Sequence, residues 1–216
     1  MKIETELDMY QAALQLEEPW YVERREFNPA SGRLDLYLNF DRKGSFTCAT
    51  CGTEGLPFHD LVMKERVWRY LDFWEYYSYL HMPLPRVRCS QCNQIKTARV
   101  PWARSGAGFT QKFEYLVLDL VKAMPVNAAA RIVREHDTRL WRIIHYYVNK
   151  ALTNQDLSNM KKAAIDETSA KRGHQYISLV MDLDEGKVVY VTEGKDASTL
   201  DRFKDRLALR LQRLHP

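Results

Sequence analysis

The sequence predicts a multidomain α+β protein, and three observations carry that prediction. All four cysteines fall into two couplets flanked by strand-like runs. The middle of the chain holds three successive amphipathic helical patterns, and the last quarter returns to short strands followed by one helix. We expect a β-rich zinc-ribbon-like module with an N-terminal helix over residues 1–100 and a three-helix helix-turn-helix domain over 101–155. Residues 160–216 read as the opening of a larger α/β domain.

The couplets are Cys48-x-x-Cys51 and Cys89-x-x-Cys92. A two-residue gap sets two thiolates on one tight knuckle, and two knuckles supply the four sulfurs that tetrahedral zinc takes in a structural site. Gly52 follows the first couplet and Asn93 the second; both residue types tolerate the left-handed backbone that such knuckles need. Two disulfides or four free thiols are the alternative. No secretory signal or membrane-spanning run precedes the cysteines, so a reducing compartment is expected and disulfides are not. Cys48, Cys51, Cys89 and Cys92 are therefore the expected ligands of one structural Zn2+, whose binding should contribute roughly 10 kcal/mol or more to folding. The loop between the couplets is longer than in a compact zinc ribbon. His59 and His81 lie in that loop and, beside a closed four-sulfur site, read as surface or packing histidines.

With 216 residues, 45% hydrophobic and 28% charged, the chain has the make-up of a globular protein of one large domain or two to three small ones. Its net charge of +4 is unevenly spread. Residues 1–47 carry nine acids against six bases, 86–112 carry six bases and no acid, and 122–150 carry six bases against two acids. An acidic start and a basic middle point the middle at a polyanion, nucleic acid foremost, with a solvated basic face as the alternative. The most apolar stretches, such as 76–84, are short and interrupted by proline, so no membrane partner is expected.

Along the chain, Leu7, Tyr10, Leu14 and Leu16 mark a short amphipathic helix that stops at Pro19. Residues 20–26 and the alternating run 33–40, joined by the turn cluster 28–32, give a hairpin signal. Between the knuckles, 67–71 and 75–84 are strand-like, and Arg86 and Arg88 lie on one face of the strand entering Cys89. Residues 100–110, with Pro101, Gly106 and Gly108, read as a linker. Thr110 is the expected N-cap of a helix over 111–124 with Phe113, Leu116, Val117 and Leu120 on one face. A short alanine-rich helix over 126–133 follows, then a turn at 135–137 and a third helix capped by Thr138 and running to about Leu152.

A short helix, a brief turn and a longer basic helix make the helix-turn-helix pattern, with a plain three-helix bundle as the alternative. In that pattern Thr138, Arg139 and Arg142 approach the bases while Arg131 and Lys150 meet phosphates. Arg86, Arg88, Lys96, Arg99, Arg104 and Lys112 complete the expected DNA-contacting set. Trp141, Ile144 and Val148 read as core. Further on, 163–166 reads as a short buried-type strand ending in Asp166, 176–182 and 188–191 as strands joined by a turn, and 199–214 as a helix with Leu200, Phe203, Leu207 and Leu211 on one stripe.

The order of these parts resembles the ISL-three-type insertion-sequence transposases over nearly the whole chain. The residues that carry the resemblance are the two couplets, Val100-Pro101-Trp102-Ala103-Arg104 leading to Gly108-Phe109-Thr110, the helix-turn-helix, and Ile165-Asp166-Glu167 followed by Lys171-Arg172-Gly173-His174-Gln175-Tyr176. The resemblance implies that the zinc module and helix-turn-helix recognise terminal inverted repeats in double-stranded DNA. It also implies an RNase H-like domain that cuts and joins strands with an Asp-Asp-Glu triad, of which Asp166 matches the first carboxylate. In-line attack on a phosphodiester uses two Mg2+ ions held by carboxylate oxygens, so Mg2+ belongs only to a complete catalytic domain. Glu167 points to the opposite strand face and is not counted. Asp182, Asp184, Asp196 and Asp201 precede or begin the last helix and cannot stand in for the second aspartate or the glutamate. These 216 residues alone are expected to leave DNA uncut.

The expected function is the DNA-binding N-terminal portion of an insertion-sequence transposase with an incomplete catalytic domain. The alternative is a stand-alone zinc-dependent DNA-binding regulator or transposition inhibitor, and a zinc-tied protein–protein adaptor is a third class. The resemblance implies a bacterial protein of the cytoplasm, associated with the nucleoid, and leaves open a homodimer or a hetero-oligomer with full-length transposase.

Overall fold

The computed structural model of the protein describes residues 5–157, 159–171 and 175–214. They divide into two compact units, 1–143 and 144–216. The first unit opens with α1 (Glu6–Leu14), which begins in a reciprocal cap: the Asp8 N–H donates to Thr5 Oγ1 at 3.2 Å and the Thr5 N–H to the Asp8 carboxylate at 2.7 Å. Gln15, in the left-handed region, ends it. Tyr10, Leu14 and Leu16 turn into the core. The Gln11 side chain bonds the Trp20 carbonyl and the Val22 N–H, both at 2.9 Å, and so anchors α1 to the first strand.

Strands β1 (Trp20–Asn28) and β2 (Arg33–Phe40) form the expected antiparallel hairpin. β2 alternates as its sequence requires, sending Leu34, Leu36, Leu38 and Phe40 into the core. The chain continues through β3 (Ser45–Phe46), β4 (Leu56–Arg69), β5 (Tyr77–Cys89) and β6 (Gln94–Thr97), giving the order β1-β2-β5-β4-β3 with β6 also on β5. Among the described strands β2 and β5 pair in parallel and the other pairs of this sheet are antiparallel. β5 is longer than either strand-like run seen in the sequence. It passes through Pro83 and Pro85, which have no N–H to give, at the place where β4 slips register between Leu61 and Glu65.

Residues 100–110 differ most from expectation. Trp102, Ala103, Ala107, Phe109 and Thr110 are buried, so the segment is a seam and not a linker. Trp102 meets Trp20 and Trp68 edge-on, with ring centroids 5.3 and 5.7 Å apart. The Arg69 N–H donates to the Gly108 carbonyl and the Thr110 N–H to the Arg69 carbonyl, each at 3.0 Å. Glycine and proline marked irregular backbone correctly; the tryptophan and alanines between them decided that it is covered.

Three helices follow: α2 (Gln111–Ala123), α3 (Val126–Val133) and α4 (Asp137–Asn154). Thr110 caps α2 as expected, accepting from the Phe113 N–H at 3.4 Å. On α2, Phe113 and Val117 are buried, but Glu114 takes the next covered position and Leu116 is exposed. α4 starts at Asp137, so Thr138 is not its cap but lies in the first turn, its N–H bonded to Asp137 Oδ1 at 2.8 Å. The buried positions on α4 are Leu140 and Ile143, whereas Trp141 is 45% and Val148 47% exposed. Its large apolar residues Leu140, Trp141, Ile143, Ile144 and Val148 spread over more than one face, so periodicity alone does not choose the inward stripe; the contacts of the first two turns do.

In the second unit β7 (Ala163–Lys171), β8 (Gln175–Asp182) and β9 (Lys187–Glu193) form an antiparallel meander, and α5 (Ala197–Leu214) follows. Leu157, Val180, Val189 and Phe203 make its core, with Leu207 packed against them; the Leu211 side chain lies outside the described residues. β7 is longer than expected and is not a buried strand: Ile165 is 48% exposed, and among the described residues β7 is an edge strand paired with β8. Residues 172–174 of the motif after Asp166 lie outside the described residues. No helix among the described residues is long and apolar enough to cross a membrane.

Replacing Trp102 by alanine removes the indole that joins two core tryptophans across the seam. It is expected to lower the stability of the first unit by about 3–5 kcal/mol, read as a shift of the urea midpoint at unchanged slope.

Candidate zinc centre and nucleic-acid interface

The first knuckle is a tight turn between β3 and β4. The Gly52 N–H donates to the Cys48 carbonyl at 3.0 Å and the Cys48 N–H to the Thr53 carbonyl at 2.8 Å. The second knuckle joins β5 to β6, with Cys89 paired to Gln94. Gly52 at φ 79° and Asn93 at φ 52° both lie in the left-handed region, as the turn chemistry predicted. The chain leaving β6 runs back along the first knuckle: the Ala49 N–H donates to the Thr97 carbonyl at 3.1 Å, and Cys48 pairs with Ala98. This return pairing places one knuckle on the other.

All four sulfurs lie within 4.8 Å of one another. Cys51 and Cys89 are 3.4 Å apart and Cys48 and Cys92 4.0 Å. A disulfide needs about 2.05 Å, so none is formed. Tetrahedral zinc with Zn–S bonds of about 2.3 Å sets its sulfurs about 3.8 Å apart, which this donor set matches. The Thr53 hydroxyl lies 3.1 Å from Cys51 Sγ and, as a donor to the thiolate, helps to lower the Cys51 pKa to about 6. Cys92, crowded by the sulfur of Cys51 first and then by burial and the other two sulfurs, is pushed up to about 12. A cation among the sulfurs removes that conflict.

Neither loop histidine joins the cluster. His59 sits 4.0 Å from Asp60. His81 is buried, stacked on Tyr37 with ring centroids 4.7 Å apart, and held by Asp35 at Nε2 (2.6 Å) and by Glu65 at Nδ1 (3.1 Å). Burial pushes Asp35 up, but Arg33 and His81 together hold it below the ordinary carboxylate range.

The expected DNA-contacting residues divide in two. Arg86 is paired in a fork with Asp60. Arg104 binds the fully buried Glu114, its Nε lying 2.9 and 3.0 Å from the two carboxylate oxygens. Arg139 pairs with Glu135, and Lys112 donates to the Ala13 carbonyl at 3.2 Å. These four are engaged inside the fold. Arg88, Arg99, Arg131, Arg142 and Lys150 are exposed, Lys96 is half-buried, and none of the six pairs with a described acid. Thr138 is exposed, its hydroxyl 2.9 Å from His136 Nδ1. Asp166 is exposed in mid-strand, takes the Glu167 N–H at 2.8 Å, and joins no metal-sized cluster among the described residues.

Three family models match the chain in the order of these parts. Residues 45–92 match the zinc-finger of transposase IS204/IS1001/IS1096/IS1165, 98–148 the helix-turn-helix domain of transposase family ISL3, and 163–214 a transposase model of the same family. The chain belongs to the ISL3 transposase family. It is 32% identical over 165 residues to the transposase for insertion sequence element IS1557 from two strains of Mycobacterium tuberculosis, covering 74% of this chain and 36% of that protein. It is 27% identical over 187 residues to the transposase for IS1001 from Bordetella parapertussis, covering 86% of this chain and 45% of that one. This ISL3 chain thus spans between about a third and a half of the curated relatives it matches. No solved structure matches it. The zinc-ribbon match and the four-cysteine cluster agree in supporting a structural zinc.

Two predictions follow from the site. Metal analysis of protein purified without added metal or chelator should find one zinc per chain; Cys89→Ser should lose it and, with it, the cooperative melting of the first unit. The depressed Asp35 carboxyl contributes stability that is present above the ordinary carboxylate pKa and lost as pH falls through its lower folded value. Asp35→Asn should therefore lower the melting temperature at neutral pH, and the gap to wild type should close on acidification.

Proposed function

We propose that these residues form the DNA-binding portion of an insertion-sequence transposase, with Cys48, Cys51, Cys89 and Cys92 holding one structural Zn2+ and α2–α4 acting as a three-helix helix-turn-helix. The observation that carries this reading is that the sulfur cluster, α3 and the first turns of α4, up to Ile143, lie in one compact unit, in a chain that matches the zinc-finger, helix-turn-helix and transposase models one after another. α4 is the reader. Thr138 and Arg142 on its exposed side approach base edges in the major groove, and Arg131, Lys150, Arg88, Arg99 and Lys96 neutralise phosphates. Arg86, Arg104 and Arg139, being paired internally, support this surface without forming it. The ligand is double-stranded DNA carrying the element's terminal inverted repeats.

Residues 163–214 are read as the start of an RNase H-like domain, supported by the three-stranded meander followed by α5 and by Asp166 on β7. In a complete domain Asp166 would supply one carboxylate toward Mg2+. A single carboxylate cannot clamp two ions, so these residues alone are proposed to bind DNA without cutting it.

Fluorescence anisotropy with duplexes taken from both ends of the protein's own locus tests this. Affinity should fall steeply as salt rises. Arg131→Ala should flatten the log–log salt slope by about one, and Arg142→Ala should cost about 1–3 kcal/mol on the specific duplex. Arg104→Ala, which breaks an internal pair, should leave the slope unchanged. Salt-independent or undetectable binding at 50 mM salt would refute the proposal.

A further inference from the structure

Arg69 ends β4, and its side chain is 1% exposed. A guanidinium in that position needs charged and hydrogen-bonded partners. One terminal nitrogen pairs with Asp72, and the other donates to the carbonyls of Tyr70 and Ser78. Nε lies 3.7 Å from Glu135 Oε1, too far for a hydrogen bond, and has no other partner. The rings of Tyr77, Phe113 and Tyr79 stand 4.8, 5.4 and 5.5 Å from its Cζ, within cation–π range.

Both carboxylates are shared. Asp72 also takes Arg134, whose Nε is 3.2 Å away, and Glu135 also takes Arg139. Arg134 lies over the Tyr77 ring at 3.9 Å and Arg139 over the Phe109 ring at 4.3 Å. The charges alternate in the order Arg134, Asp72, Arg69, Glu135, Arg139. This chain of pairs runs from the three-residue turn after α3 through the end of β4 to the first turn of α4.

We propose that Arg69 is a positioning residue for the DNA reader, an inference that rests on the DNA-binding reading above. By holding Asp72 and Glu135 together it fixes the turn 134–136 to the sheet. It thereby sets the angle at which α4 presents Thr138 and Arg142. The apolar contacts of Leu140 and Ile143 hold α4 down, but apolar packing is non-directional; the charge-assisted hydrogen bonds of Arg69 and Arg134 to Asp72 and of Arg139 to Glu135 supply the direction. Arg134 and Arg139, though at the mouth of the reader, belong to the lock. Lysine cannot replace Arg69, because one compact ammonium lacks the planar fork that reaches two carboxylates and two carbonyls at once.

The test is Arg69→Met, close in length and apolar. Asp72 keeps Arg134 and Glu135 keeps Arg139, so neither carboxylate is orphaned and the fold is expected to survive with zinc and melting midpoint near wild type. Amide hydrogen exchange over 134–143 should accelerate tenfold or more. Affinity for duplexes from the protein's own locus should fall tenfold or more at an unchanged salt slope, since Arg69 touches no phosphate, and Arg69→Lys should not restore it. Wild-type exchange and wild-type affinity in Arg69→Met would overturn the proposal. If wild-type protein bound no duplex, the DNA reading would fail, while the exchange result would still judge the lock. Should Arg69→Met lose zinc or cooperative melting, Asp72→Asn decides, because it cuts the link to Arg134 from a partly exposed position; unchanged exchange over 134–139 would then overturn the proposal.

Discussion

Four sulfurs held within 4.8 Å of one another impose the constraint around which the first unit is built. Thiolates this close repel one another, and four of them make six such pairs. Hydrogen bonds from nearby N–H and hydroxyl groups favour the thiolates of Cys51 and, against its burial, Cys48, but leave Cys92 strongly resisting ionisation. Only a cation satisfies all four at once. The backbone is already arranged for it: both knuckles use left-handed turn residues, and β6 and the residues after it form the strand that pins one knuckle against the other.

That return strand also carries the sulfur cluster's influence toward the helices. From Thr97 the chain runs directly into the buried seam at 100–110, where Trp102 enters the same apolar core as α1, β2 and β5. Arg104 then pairs with buried Glu114, and the Gln111 N–H donates to the Trp102 carbonyl at 2.8 Å. Metal loss is therefore felt at α2 through a short run of backbone, not through a flexible tether. The sheet and the α2–α3 pair are consequently one body in the sense that matters for binding, and the folding free energy of the metal site is shared by both.

The zinc centre was legible in the sequence because its signal is local: two couplets, each followed by a residue that tolerates positive φ. The hairpin β1–β2 was legible for the same reason, as a strict alternation around a turn cluster. What escaped was non-local. The parallel pairing of β2 with β5 leaves no periodic trace, and β5 looked like two strands because Pro83 and Pro85 break a ladder only where the neighbouring strand does not also bulge. The inward stripe of α4 was misassigned, with Trp141 and Val148 proving exposed, because Leu140, Trp141, Ile143, Ile144 and Val148 offer more than one apolar face. Glu114 and Arg69 lay outside any motif. Their burial depends on partners 10 and 66 residues away, Arg104 and Glu135, and composition cannot reveal such pairings.

The same point changes what a basic stretch means. Residues 86–112 hold six cations and no acid, yet the acids arrive from elsewhere: Asp60 from β4 for Arg86, and Glu114 from α2 for Arg104. A linear count of charge therefore overstates the surface available to a polyanion, because ion pairs form in three dimensions while the count runs in one. The cations left unpaired, Arg88, Lys96 and Arg99 beside the second knuckle and Arg131 and Arg142 on the helices, are the ones whose counterions a bound duplex would displace. The arginines that lost their solvent role gained a structural one. Arg104, Arg134 and Arg139 brace the elements from which the free cations project, so charge in the middle of this chain holds the proposed reader together as well as offering the cations that would meet a duplex.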